Sequence, residues 1–143
     1  MSSTIFKSLT DTTFDSVEGY RKAAEKADSP ALKSALAERL SKRENTLSQM
    51  NAELQRQGDE LVTKGTMTGE LHQLWMGITD AFERGDEAAS ERVEEGEDYI
   101  KSKFEHALKD DDLDPQERAI VQQCYAEICE GERFADSIEN QYD

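Results

Sequence analysis

The chain has 143 residues, 34% of them charged, with a net charge of −15 and only two prolines. That length fits one domain able to bury roughly two-thirds of the surface its unfolded form exposes, and the composition suits amphipathic helices. The acidic excess argues against nucleic acid and against anionic membrane surfaces as partners, because both reward Lys and Arg.

The opening MSSTIFKSLT has no apolar signal core, and no segment has the apolar run needed to span a bilayer, so a cytoplasmic location is expected. The first predicted helix runs from about Ser3 to Ala27. Phe6, Leu9, Thr13, Val17, Tyr20, Ala24 and Ala27 form its inner face, with Asp15, Glu18 and Glu25 opposite. Ser29-Pro30 stops it and opens the next helix, Ser29 as N-cap and Pro30 at the first helical position.

The second helix spans about Pro30 to Gln57. Leu32, Leu36, Leu40, Leu47, Met50 and Leu54 make its stripe, broken at the centre by Arg43 with Glu44 on the flank. Gly58 is the stop signal. A tight turn between two long helices demands an antiparallel hairpin.

Gly65-Thr66 reads as loop. A shorter helix is expected from about Thr68 to Arg84, with Met67, Leu71, Leu74, Trp75, Ile78, Ala81 and Phe82 on one side. Gly85-Asp86 closes it and caps the third long helix, about Asp86 to Lys109, whose face is Ala89, Val93, Gly96, Ile100, Phe104 and Ala107. A mid-helix Gly such as Gly96 costs about 1 kcal/mol against Ala, so another helix or a side chain should approach it closely. In Asp114-Pro115-Gln116-Glu117 the Asp caps, the Pro starts the helix and Glu117 sits where a capping-box acid belongs. The last long helix runs to about Asn140, with Val121, Cys124, Tyr125, Ile128, Ala135 and Ile138 inward. Cys124 and Cys129 point in different directions on it and cannot pair locally; the spacing fits no zinc or redox pattern.

Lengths decide the topology. The four long helices have about 25 to 28 residues each, or roughly 38 to 42 Å. The connection between the second and third, roughly 28 residues with a short helix inside, far exceeds a tight hairpin. It can carry the chain back along the bundle so that these two helices run parallel. The predicted fold is therefore all-α: one domain, a ferritin-like four-helix bundle with a long crossover carrying an extra short helix. A plain five-helix array is the alternative.

FDSVEGYRKAAEKA, GTMTGELHQLWMGI with its His-x-x-Trp, and EEGEDYIKSKFEHAL resemble an uncharacterised bacterial family of ferritin-like four-helix proteins. The resemblance covers nearly the whole chain and is most specific at Gly19-Tyr20, at His72 with Trp75, and at Gly96-Glu97-Asp98. It implies a bundle with a ferritin-like crossover and, the family having no established activity, little about chemistry. Members tend to carry a His late in the last helix. Here that stretch is Glu130-Gly131-Glu132, which removes one metal ligand.

A di-iron centre of this class needs inward Glu on two helices and a Glu-x-x-His pair on each of the other two. His72 lies on the crossover helix, His106 points away from the apolar stripe, and Gly69 and Lys103 stand three residues before them. The first helix has no inward acid. Glu44, Glu97 and Glu132 are at most the inward acids, and would be the ligands of any metal that bound. No phosphate loop, nucleophile elbow or metal-binding helix motif is present, and the aspartates from Asp110 lack the Gly and Glu a calcium loop requires. No catalytic residue, cofactor or metal is assigned.

The structural reading is simpler. Arg43 cannot lose its proton, so a buried Arg43 must find an acceptor, and Glu97 is level with it on a parallel neighbour. Arg43, Glu44, Glu97 and Glu132 are the expected polar layer, with His72 and Trp75 anchoring the crossover. Phe14, Tyr99 and Phe134 need cover from the crossover or from a second subunit, which leaves room for a homodimer; the sequence names no protein partner. The expected function is a non-catalytic bundle with a structural or protein-interaction role. The alternative is a metal-binding or redox protein with a reduced carboxylate site in the core.

Overall fold

A computed structural model describes residues 2–64 and 70–142, Glu70 and Leu71 by their backbone alone, and every regular element among them is an α-helix. The expected loop at Gly65-Thr66, the expected start of a helix at Met67 and Thr68, and the side chain of Leu71 lie outside the described residues. The helices are α1 (Thr4–Lys26), α2 (Pro30–Arg56), α3 (Glu70–Met76), α4 (Ile78–Glu83), α5 (Asp86–Leu108) and α6 (Pro115–Tyr142).

Polar caps fix the ends of the long helices and bolt them together. The Ser3 hydroxyl accepts from Phe6 N–H at 3.2 Å to cap α1, and donates to Glu117 Oε1 at 2.7 Å. Glu117 also accepts from the Asp114 backbone N–H at 3.1 Å, completing the capping box that opens α6, and from Gln57 Nε2 at 3.1 Å at the end of α2. At the opposite end, Ser29 caps α2 by accepting from Leu32 N–H at 3.3 Å, and its own N–H donates to Asp86 Oδ2 at 3.2 Å at the start of α5. Tyr142 at the end of α6 donates to the Ser29 hydroxyl at 3.2 Å. Gly58 ends α2 with φ +79°, a left-handed conformation that disfavours any side chain.

These bolts give the direction of each helix. The end of α2 lies beside the start of α1, where Ser2 N–H donates to Asp59 Oδ2 at 2.6 Å, while α5 begins beside the α1–α2 turn. Asp59 and Asp86 thus lie at opposite ends of the molecule, and α2 and α5 run the same way. α1 packs on α2 and α5, and α6 packs on α5 and α2. The short α3 and α4 lie against α1 and α5.

The α5 face is buried at Ala89, Val93, Gly96, Ile100, Phe104 and Ala107. Phe6, Tyr20, Leu36, Met50, Leu54 and Ile128 join it in one apolar core. Ala24, Leu40, Leu47 and Tyr125 are only half-buried. Two features differ from the sequence reading. Among the described residues the crossover helix is broken into α3 and α4 at Gly77, the residue in it with least to lose by leaving the helix. Asp15, placed on the solvent side of α1, is 4% exposed, because the crossover covers that side of the helix. No helix among the described residues is long and apolar enough to cross a membrane.

Candidate functional site

The stripe of α2 breaks at Arg43, and this break is the centre of the molecule. Arg43 and Glu97 both have 0% of their side chains exposed. The guanidinium grips the carboxylate with two prongs, Nη1 to Oε1 at 2.9 Å and Nη2 to Oε2 at 2.7 Å. Nη1 also donates to the Ser16 hydroxyl of α1 at 2.9 Å, and Nε to Glu127 Oε1 of α6 at 2.8 Å. One side chain from each of four helices therefore meets at this level. Ser16 in turn donates to the Thr13 carbonyl at 2.8 Å. The Tyr20 ring faces the same guanidinium, with Arg43 Cζ 5.5 Å from its centroid.

Glu127 extends the layer to the α2–α6 seam. It accepts from Thr46 Oγ1 at 2.8 Å and pairs with Arg39, whose Nη2 also donates to the Glu127 carbonyl at 3.0 Å. Burial alone would raise the Glu127 carboxyl, but Arg43, Thr46 and Arg39 hold it below the usual carboxylate range. Burial likewise opposes the charge on Arg43, and Glu97 and Glu127 reverse that, pushing its pKa well up. Tyr20 is pushed well up by burial and then by Glu97. Two guanidinium groups and two carboxylates (Arg39, Arg43, Glu97, Glu127) thus cancel in charge.

Glycines make room for this layer and for the plug beside it. A Cβ on Gly131 of α6 would overlap Glu97 Oε2 and fall 2.6 Å from Arg43 Nη2. A Cβ on Gly96 would fall 2.7 Å from Trp75 Cζ2, and one on Gly19 would overlap the same indole. Trp75 from α3 is 3% exposed, seated between α1 and α5, and its ring centroid is 5.5 Å from that of Tyr20. The close approach expected at Gly96 is that of the Trp75 side chain. Among the described residues no hydrogen-bond partner reaches the buried Tyr20 hydroxyl, Trp75 Nε1 or Arg39 Nε.

The other residues singled out from the sequence are not drawn into the layer. Glu44 is exposed and pairs with Arg21 at 3.1 Å, since one residue beyond Arg43 is a rotation of roughly 100° away from the core. Glu132 is half-buried on the α5–α6 flank, 3.9 Å from Lys101, and burial followed by Asp136 raises its carboxyl. Glu44, Glu97 and Glu132 therefore do not converge. Among the described residues, the acids that do gather are Glu94, Asp136 and Glu139, with oxygens within 4.8 Å of one another on the partly exposed α5–α6 face. Glu94 meets Asp136 and Glu139 there because α6 brings these two acids to that flank of α5. His72 is half-buried, Nδ1 3.9 Å from Asp15 Oδ1, and lines a cleft with Phe14 and Met76. His106 is exposed. Cys124 and Cys129 are both free thiols, the first buried and the second half-buried.

Glu127, Arg39 and Ser16 were not found from the sequence. Glu127 stands three residues after the inward Cys124 and four before the inward Gly131, spacing that was available as a signal but reads equally as a polar flank.

Fold and site together define an all-α protein whose centre is a closed, charge-balanced arginine–carboxylate layer. Residues 1–110 match the family described as a domain of unknown function (DUF2383), and the chain belongs to that family. The match covers α1 to α5 and stops ahead of α6, the helix that supplies Glu127 and Gly131. No curated protein and no solved structure shows significant similarity to the chain.

Proposed function

We propose that the chain is a single-domain, ferritin-like four-helix bundle acting as a non-catalytic structural or protein-interaction module. The parallel course of α2 and α5, with Asp59 and Asp86 at opposite ends of the molecule, supports the ferritin-like assignment. One observation carries the functional reading. Arg43 occupies the bundle core, where ferritin-like proteins build metal sites from inward side chains, and its guanidinium engages both oxygens of Glu97 there. A fixed positive charge at this point repels a cation. The donor set does not suit a di-iron pair either, because neither histidine reaches the interior: His72 lies on α3 and His106 is exposed. The competing metal-binding or redox reading would need Glu44, Glu97 and Glu132 to share an ion, and each sits with a different cation: Arg21, Arg43 and Lys101.

Anaerobic titration with ferrous ion, followed by calorimetry and then by absorbance after admitting oxygen, tests this reading. Neither saturable heat at one or two equivalents nor catalysed iron oxidation is expected. Saturable binding that Glu97→Gln abolishes would transfer the assignment to the redox reading.

A further inference from the structure

We propose that α3 and α4 form a detachable strap with Trp75 as its plug, and that its release opens the α1–α5 seam onto Tyr20 and the Arg43–Glu97 pair while the four long helices stay folded. The strap is made of short pieces. Among the described residues α3 has 7 and α4 has 6, each well below the roughly 12 to 15 residues at which a helix is even marginal alone. The N-cap of α4 is Gly77 and that of α5 is Gly85, φ +115°, so neither helix has a side-chain cap. By contrast, α1 and α2 are capped by serine side chains at their N-termini.

Among the described residues the strap buries Trp75, Ile78, Ala81 and Phe82, with Leu74 half-buried against the core and His72 Nδ1 3.9 Å from Asp15 Oδ1. The indole fits because Gly19 and Gly96 present bare backbone on facing helices. On its inner side lies Tyr20, fully buried, and beyond Tyr20 lies Arg43. Trp75 is therefore the outer wall of the compartment that contains the ion pair. Lifting it brings water to the Tyr20 hydroxyl, which has no hydrogen-bond partner among the described residues. Strap and layer share that wall, so loosening one loosens the other; such coupling is reciprocal.

The test is hydrogen–deuterium exchange of the native chain at rising urea, with acrylamide quenching of Trp75, the one tryptophan present. Amides of residues 72–83 should exchange roughly tenfold or more faster than core amides of α2 and α5. Quenching should rise at urea concentrations where helical circular dichroism is still native. Gly96→Ala should raise quenching in the absence of urea with helix content retained. If that variant does not fold, the native chain decides alone. Strap amides exchanging together with those of α2 and α5, and a quenching curve superimposed on the circular dichroism transition, would overturn the proposal.

Discussion

Arg43 of α2 and Glu97 of α5 face each other across the core as a two-pronged ion pair, at 2.9 and 2.7 Å, with no side-chain surface exposed on either. Such a pair is weak evidence for stability, since desolvating both charges offsets their attraction, but it fixes the register of two parallel helices.

Removing one partner should therefore be costly and removing both should not. Glu97→Ala leaves the buried layer one positive charge in excess and Arg43 Nη2 without its acceptor, and should cost about 3 to 5 kcal/mol. Arg43→Met combined with Glu97→Leu should cost far less than Glu97→Ala alone. A double-mutant cycle from urea denaturation measures the coupling; single effects that simply add would refute the pairing.

Gly131 gives an opposite-sign test of the same site. A mid-helix Gly→Ala change ordinarily stabilises by about 1 kcal/mol. Here the new methyl would strike Glu97 and lie 2.6 Å from Arg43 Nη2, atoms held in place by their own hydrogen bonds. Gly131→Ala should destabilise by roughly 1 to 3 kcal/mol through overpacking. A raised melting temperature would show that the layer yields easily.

Acid should dissolve the layer through Glu127. Its folded pKa lies below the ordinary 4.5, so the unfolded chain takes up the proton first. The contribution is complete above that ordinary value and is lost as pH falls through the lower folded one. Urea midpoints of the native chain and of Glu127→Gln, taken from about pH 7 to about pH 3, should converge on acidification. A gap that widens towards acid would reverse the sign and contradict the assignment.

Much of the fold was legible because a 3.6-residue apolar period and two Ser/Asp-Pro starts punctuate the chain. Arg43 and Glu97 were legible for a related reason: each interrupts or edges an otherwise apolar face. The errors came one residue away. Glu44 and Glu132 adjoin Arg43 and Gly131 in sequence, yet a helix turns them to the flank. Gly131 looked like a missing ligand, whereas it is the space into which Glu97 and Arg43 fit. Asp15 looked solvated because only the tertiary path of α3, not any feature of α1, covers it.

Thiol chemistry should separate the cysteines. Burial, with a smaller push from Glu127, raises the Cys124 thiol to about 12, and its Sγ lies 3.8 Å from Gln49 Oε1. Cys129 is half-buried. An aromatic disulfide reagent at neutral pH should therefore titrate one thiol rapidly in the native chain, and Cys129→Ser should remove that phase. Equal rates for both cysteines would mean that the Cys124 side of the α2–α6 seam opens readily.

The central claim is that an arginine–carboxylate layer occupies the centre of this bundle in place of a metal site. Elemental analysis of the native protein, expressed in iron-rich medium and dialysed, tests it most directly. Iron, manganese and zinc should each fall well below one equivalent per chain, and Glu97→Gln should leave that result unchanged. One or more equivalents of metal, lost in Glu97→Gln, would contradict it.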